Sequence, residues 1–173
     1  KSFSKIGIIE SFFLSIATLV SGIALFGSHH TILVLTGKKI DIHATIYLIT
    51  ILANVIGSII IFLVFFNLGI SLVIIGYSLF AIVTSDLLGR KLYKSYSKYI
   101  ITQKILLVVF GVGFYYLLGE NGVLIGIALS YSHLIIRIIK SIKNSKINFN
   151  LIKEKKNFIL NNWAISISGL VYG

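Results

Sequence analysis

Between residues 6 and 139 the chain runs through five nearly uninterrupted apolar stretches, each about as long as a bilayer is thick, and a sixth opens at Phe158. The hydrocarbon core is roughly 30 Å deep and a helix rises about 1.5 Å per residue, so about 20 apolar residues cross it once. Residues 6–28, 44–66, 70–88, 99–118 and 122–139 meet that length or nearly do. Strands of a soluble core are excluded, because the stretches are too long and lack both alternation and the turn residues that separate strands. A membrane barrel is excluded too. Its strands are about ten residues long with a polar face at every second position, whereas Ile59-Ile60-Ile61-Phe62-Leu63-Val64-Phe65-Phe66 is apolar all round. Helices remain, since lipid offers no partner for backbone N–H and C=O groups. The expected fold class is all-α, a polytopic transmembrane helix bundle of five complete spans and the start of a sixth. A mean hydropathy of +0.98 agrees, leaving little for a water-facing surface.

The chain has no methionine, opens at Lys1 close to a helix and stops at Gly173 inside one, and so reads as a part of a longer protein. No cleavable signal peptide is expected at its start. With no cysteine, disulfides, thiolate metal sites and thiol catalysis are excluded within these 173 residues.

The formal net charge is +11, and its placement says more than its total. Lys38 and Lys39 follow the first span, Arg90, Lys91, Lys94 and Lys98 separate the third and fourth, and six lysines from Lys140 to Lys156 separate the fifth from the sixth. The alternate connections are lean: Phe66-Asn67-Leu68-Gly69 is uncharged, and Gly119-Glu120-Asn121-Gly122 carries one acid. Short cytoplasmic loops collect Lys and Arg, so a multi-pass cell-membrane protein is expected with loops 37–42, 89–98 and 140–157 in the cytoplasm. Lys1 and Lys5 then fall outside, which an odd number of preceding helices would resolve. The basic loops suit orientation and contact with membrane lipids. Nucleic acid is not an expected partner, because the lysines lack interleaved stacking aromatics and base-reading motifs. Residues 140–157 are expected to join two bundles, with a surface helix through Ile147, Phe149, Leu151 and Ile152.

No phosphate-binding GxxxxGK[ST] loop, HExxH, GxSxG or close carboxylate pair is present, so neither an enzyme nor a cofactor is expected. His29 and His30 are adjacent, point to different faces of a helix and read as the polar end of the first span rather than as a metal site. Ionisable residues in or near the spans are the better lead, because an intramembrane charge is expensive and faces a cavity or a partner. They are Glu10, Asp86, Lys104, His133 and Arg137. Asp86 with Arg90, and His133 with Arg137, are four apart and share a helix face. Asp86, Arg90, Lys104, Arg137 and Lys140 fall toward the cytoplasmic ends of their helices and are expected to converge on one vestibule. The simpler account of Lys104 and Arg137 is snorkelling, long stems carrying the charge to headgroups. Glu10 has no obvious local partner.

Small residues let membrane helices approach. Gly122, Gly126 and Ser130, Ala53 with Gly57, and Ser11 with Ser15 are expected to be packing faces. Without proline, hinges are expected at Gly22 and at Gly111 with Gly113.

A span ending in Ser85-Asp86-Leu87-Leu88-Gly89-Arg90-Lys91-Leu92-Tyr93-Lys94 precedes a helical hairpin with the short turn Gly119-Glu120-Asn121-Gly122-Val123. A basic connection follows, and then Lys156-Asn157-Phe158-Ile159-Leu160-Asn161-Asn162-Trp163. In this order of features the chain resembles the polysaccharide-biosynthesis transporters, the lipid-linked oligosaccharide flippases of the multidrug/oligosaccharidyl-lipid/polysaccharide superfamily. The resemblance covers nearly the whole chain, least so residues 6–36. It implies two six-helix bundles, with residues 1–139 supplying helices two to six of the first, 140–157 the cytoplasmic connection and 158–173 the start of the second. The rest of the same chain, a first helix and a second bundle, would then be a partner. It further implies alternating access for a polyprenyl-linked oligosaccharide, with Arg90, Lys104 and Arg137 on the diphosphate and Asp86 positioning Arg90. A membrane-embedded glycosyltransferase or polymerase would need an acidic pair or an arginine-rich outer loop, and the visible outer loops have neither. A multidrug cation exporter prefers acidic cavity residues, which are outnumbered here.

Overall fold

The computed structural model describes residues 2–25, 27–145, 147–162 and 164, with side chains from residue 11 onward except those of 120 and 121. Every element among them is a helix: α1 (Ser2–Ala24), α2 (Ser28–Gly37), α3 (His43–Phe65), α4 (Leu68–Gly89), α5 (Tyr93–Leu118), α6 (Glu120–Leu129), α7 (His133–Asn144) and α8 (Phe149–Glu154). Residues 156–162 are helical as well.

Among the described residues four helices are long and apolar enough to cross a membrane: α3, α4, α5 and the stretch Gly122–Asn144 that joins α6 to α7. This is a membrane protein. The stretches expected at 44–66 and 70–88 coincide with α3 and α4. The one expected at 99–118 starts earlier, at Tyr93, so Lys94 and Lys98 lie on the first turns of α5 rather than in a loop. The stretch expected to end at 139 runs on to Asn144.

The first span differs most. Instead of one helix over 6–28, α1 stops at Ala24 and α2 continues to Gly37 at an angle of 51° to it. Gly27 turns the corner with φ 64°, a left-handed conformation that a Cβ disfavours. Both helices pack against α3 and α4. Phe13 meets Phe65, at the end of α3, edge to face at 6.1 Å, and Gly57, midway along α3, faces Val20 and Ala24. His29 and His30 therefore do not end the span; they sit on α2, with rings 4.1 Å apart. Neither expected hinge is a break: α1 passes through Gly22, and α5 through Gly111 and Gly113.

The bundle is organised around α4, which feeds both apolar clusters. Leu79, Ile82, Val83 and Leu87 pack with Ile32, Leu35, Ile46, Tyr47 and Leu134, while Ile70, Val73 and Ile74 pack with Ala17, Ile61 and Leu124. Leaving lipid for another apolar side chain gains little, so close approach and interhelical hydrogen bonds hold the seams. Thr50, Asn54 and Ser58 recur every four residues on the buried face of α3. Ser58 donates to the Ser71 carbonyl at 2.8 Å, and Ser78 donates to the Asn54 side chain. On α6 the expected small face is in use: a Cβ on Gly126 would stand 2.5 Å from the Phe110 carbonyl oxygen, Gly122 abuts the Phe114 carbonyl, and the Ser130 hydroxyl accepts from Gln103 at 3.3 Å. Ser11 and Ser15 do not form a packing face. Both are exposed, and α1 buries Ala17, Ser21 and Ala24 instead.

Candidate functional site

The connections sort by charge between the two ends of the bundle. Lys39, Ile40 and Asp41 after α2 and Arg90 and Lys91 after α4 line one cleft, and the segment after α7 returns to the same place, where the Asn148 N–H donates to the Thr45 hydroxyl at 3.0 Å. The uncharged turn at Phe66 and Asn67 lies at the other end, where Gly69 presses on Leu124 and Ile125. All three basic connections thus share an end.

Asp86 sits at that end, on the last turn of α4, with its side chain 2% exposed. A carboxylate at such depth is costly unless it is paired and hydrogen-bonded. Both oxygens are engaged. Oδ1 accepts from Arg90 Nε at 2.8 Å, the pair expected from their four-residue spacing, and Oδ2 accepts from Arg137 Nη2 at 3.2 Å. Arg137 does not snorkel outward. Its guanidinium lies 5.7 Å from the centre of the Tyr99 ring, against which His133 also stacks, and its buried Nε has no hydrogen-bond partner among the described residues. Burial pulls the Arg90 guanidinium down, but the hydrogen bond and charge of Asp86 outweigh it, so its pKa lies above the ordinary arginine value.

His43 extends the network to α3. Arg90 Nη2 lies 2.8 Å from His43 Nδ1, which also lies 2.5 Å from Asp41 Oδ1, and His43 Nε2 lies 3.0 Å from Ser145 Oγ. One ring nitrogen cannot accept from arginine and donate to aspartate at once. With the proton on Nε2 the ring accepts from Arg90; with both nitrogens protonated it donates to Asp41 and releases Arg90. The Tyr47 ring, one turn further in, stands edge-on to His43 at 6.0 Å. Around this network lies a cavity of about 280 Å³, lined by Asp41, His43, Asp86, Arg90, Arg137 and Lys140, with Ser141, Asn144 and Ser145 completing the wall.

Asp86, Arg90, Arg137 and Lys140 therefore converge as expected, and Lys104 does not join them. It is exposed on α5, outside the cavity wall, while its neighbour Gln103 points inward. The side chain of Glu10 lies outside the described residues. His43 and Ser145 were not anticipated. The only sign of His43 was its place two residues after Asp41, at the mouth of a span whose basic connection already pointed to this end.

No protein-family model, curated protein or solved structure matches the chain.

Proposed function

We propose that this chain is most of the first bundle of a two-bundle transporter that moves a polyprenyl-linked oligosaccharide across the cell membrane by alternating access. The observation that carries the reading is the cavity itself. Three cations, Arg90, Arg137 and Lys140, outnumber the two acids Asp41 and Asp86 around about 280 Å³ at the end of apolar helices. Guanidinium groups suit a diphosphate because their paired N–H donors match phosphate oxygens. Asp86 holds both arginines in place, so the diphosphate would meet an arginine pair already oriented. A cation exporter is less well supported, since both oxygens of the buried carboxylate are already taken by arginines.

In this reading α1 and α2 form one broken span, giving five, and the basic end faces the cytoplasm because cationic loops are retained there. Single cysteines report this without background, as the chain has none. In the full-length protein, Leu68→Cys should react with an impermeant thiol reagent added outside and Ser97→Cys should not; the reverse pattern would invert the topology.

Transport tests the site. In proteoliposomes carrying equal amounts of folded full-length protein, Arg137→Gln should abolish appearance of the lipid-linked oligosaccharide on the far leaflet. Transport by Arg137→Gln at the wild-type rate would sink the proposal. Lys104→Gln discriminates further: it should transport if the arginine cavity is the anchor, and fail if the diphosphate is held at the α5 surface.

A further inference from the structure

Two helices that finish at the basic end do so in the same way. Leu35-Thr36-Gly37-Lys38-Lys39-Ile40 closes α2, and Leu87-Leu88-Gly89-Arg90-Lys91-Leu92 closes α4. In each hexapeptide the fifth residue is left-handed, Lys39 with φ 60° and Lys91 with φ 58°. Its N–H donates to the carbonyl of the second residue, Lys39 to Thr36 and Lys91 to Leu88, both at 2.9 Å. The sixth N–H returns to the first carbonyl, Ile40 to Leu35 at 3.0 Å and Leu92 to Leu87 at 2.9 Å. This doubly bonded stop normally places glycine at the left-handed position, where a Cβ is disfavoured. The chain is not short of glycine, having 15, yet it holds lysine at both stops. The backbone is better served without those side chains, so their use must be sought in what they face.

They face one another's turn. A Cβ on Gly89 would stand 2.8 Å from the Leu33 carbonyl oxygen and 3.1 Å from Thr36 Cβ, and Gly37 lies against the Gly89 carbonyl, so α2 and α4 hold the two stops side by side. Between them lies a cleft of about 460 Å³ lined by Lys39, Lys91 and Arg90, with Asp41, Thr36 and Ile40. Arg90 and Asp41 are engaged with Asp86 and His43. Lys39 and Lys91 are exposed and make no ion pair among the described residues. The buried Thr36 hydroxyl also lacks a partner among those residues. Two uncommitted ammonium groups thus line a single cleft, whose wall carries three cations and one acid.

We propose that this cleft binds the phosphate of an anionic phospholipid headgroup, with Lys39 and Lys91 supplying charge. Its position selects a lipid over a soluble anion. It opens where apolar helices end, the depth of the headgroups, and Leu92 and Tyr93 beside it are 43% and 60% exposed, an apolar and aromatic border suited to the membrane interface. The cleft shares Arg90 and Asp41 with the Asp86 cavity but differs from it in its free charges. Lys39 and Lys91 line this cleft alone, and Arg137 and Lys140 line only the other.

The test uses the full-length protein in nanodiscs of phosphatidylcholine with a minor share of phosphatidylglycerol, counting retained phosphatidylglycerol by native mass spectrometry. Lys39→Gly and Lys91→Gly remove the charge while giving each turn its preferred residue, so both variants should fold at least as well as wild type by melting temperature. Each should lower phosphatidylglycerol retention about fivefold, the effect of one interfacial lysine, with phosphatidylcholine unchanged. Lys38→Gln, in the same turn but outside the cleft, should leave phosphatidylglycerol retention unaltered. Equal losses in Lys38→Gln, or wild-type retention in both glycine variants, would overturn the proposal. Displacement of phosphatidylglycerol from the wild type by inorganic phosphate, but not by an equal ionic strength of chloride, would assign the cleft to a soluble phosphate and overturn the lipid assignment.

Discussion

Helices α4 and α5 are both apolar enough to cross a bilayer, with mean hydropathies of 2.1 and 1.8, yet 61% of the spanning stretch of α4 is buried within the bundle and only 6% of that of α5. Hydropathy decides the solvent in which a helix lives, and these two share one. Position in the bundle is decided by something hydropathy hardly weighs, the face on which small and hydrogen-bonding residues fall. On α4 Gly69, Ser71, Gly76, Ser78, Asp86 and Gly89 are all buried, and a Cβ on Gly76 would stand 2.5 Å from the Tyr131 ring. The glycines of α5, Gly111 and Gly113, have nothing within 4 Å of where a Cβ would stand. The same residue type marks a tight seam on one helix and open surface on the other.

The contrast between the helices breaks most visibly at their charges. Asp86→Ala would leave two arginines without their shared carboxylate, and loss of one partner from a buried ionic network costs about 3–5 kcal/mol. Thermal unfolding of the full-length protein in detergent should show that loss. Lys104→Gln, on the exposed face of α5, should change stability by less than about 0.5 kcal/mol. Comparable losses from the two would mean that α5 is packed as tightly as α4.

Glycine replacements test the same contrast through volume. Gly76→Ala should destabilise by about 1–3 kcal/mol, because the Tyr131 ring must move aside for the methyl group. Gly113→Ala should be neutral or stabilising by up to ~1 kcal/mol, since alanine is the better helix former and nothing blocks it. A destabilising Gly113→Ala, seen by the same unfolding assay, would reveal a neighbour on the α5 surface in the full-length protein.

A smaller loss than those at Asp86 and Gly76 belongs to the polar seam. Asn54→Val removes the acceptor of the Ser78 hydroxyl, and interhelical hydrogen bonds in membranes contribute on average about 0.6 kcal/mol and at most about 1.7 kcal/mol. Adding Ser78→Ala to Asn54→Val should cost little more, because the pair acts as a unit. Full additivity in this double-mutant cycle would show that the two side chains do not depend on one another.

Parts of this arrangement were legible from residue order, and the failures have physical causes. The expectation of 44–66 for the second stretch met α3 at His43–Phe65, because an uninterrupted apolar run between polar ends leaves little choice of register. The first stretch was misplaced because Gly27-Ser28-His29-His30-Thr31 reads as the polar end of a span, whereas Ser28 and Thr31 are buried on α2. At the site, the Asp86 to Arg90 contact was legible, being one helical turn long. Arg137 was expected in the same vestibule as Asp86, but its direct bond to that carboxylate, 51 positions away, and Ser145 on His43, 102 away, were not legible.

What the sequence determined by itself is the solvent and the polarity of this chain: apolar runs of bilayer length require helices, and the alternation of basic and lean connections sorts the loops into two sets. Helix length and loop charge are local quantities, readable in order along the chain. The tertiary structure alone decided that α4 lies inside and α5 at the edge, that the chain bends between α1 and α2 at Gly27, and that Asp86 gathers two arginines while Lys104 stands apart. Those outcomes depend on which faces of different helices meet. Where every surface is about equally apolar, the meeting is chosen by fractions of an ångström at glycines and by single hydrogen bonds between residues far apart in the chain.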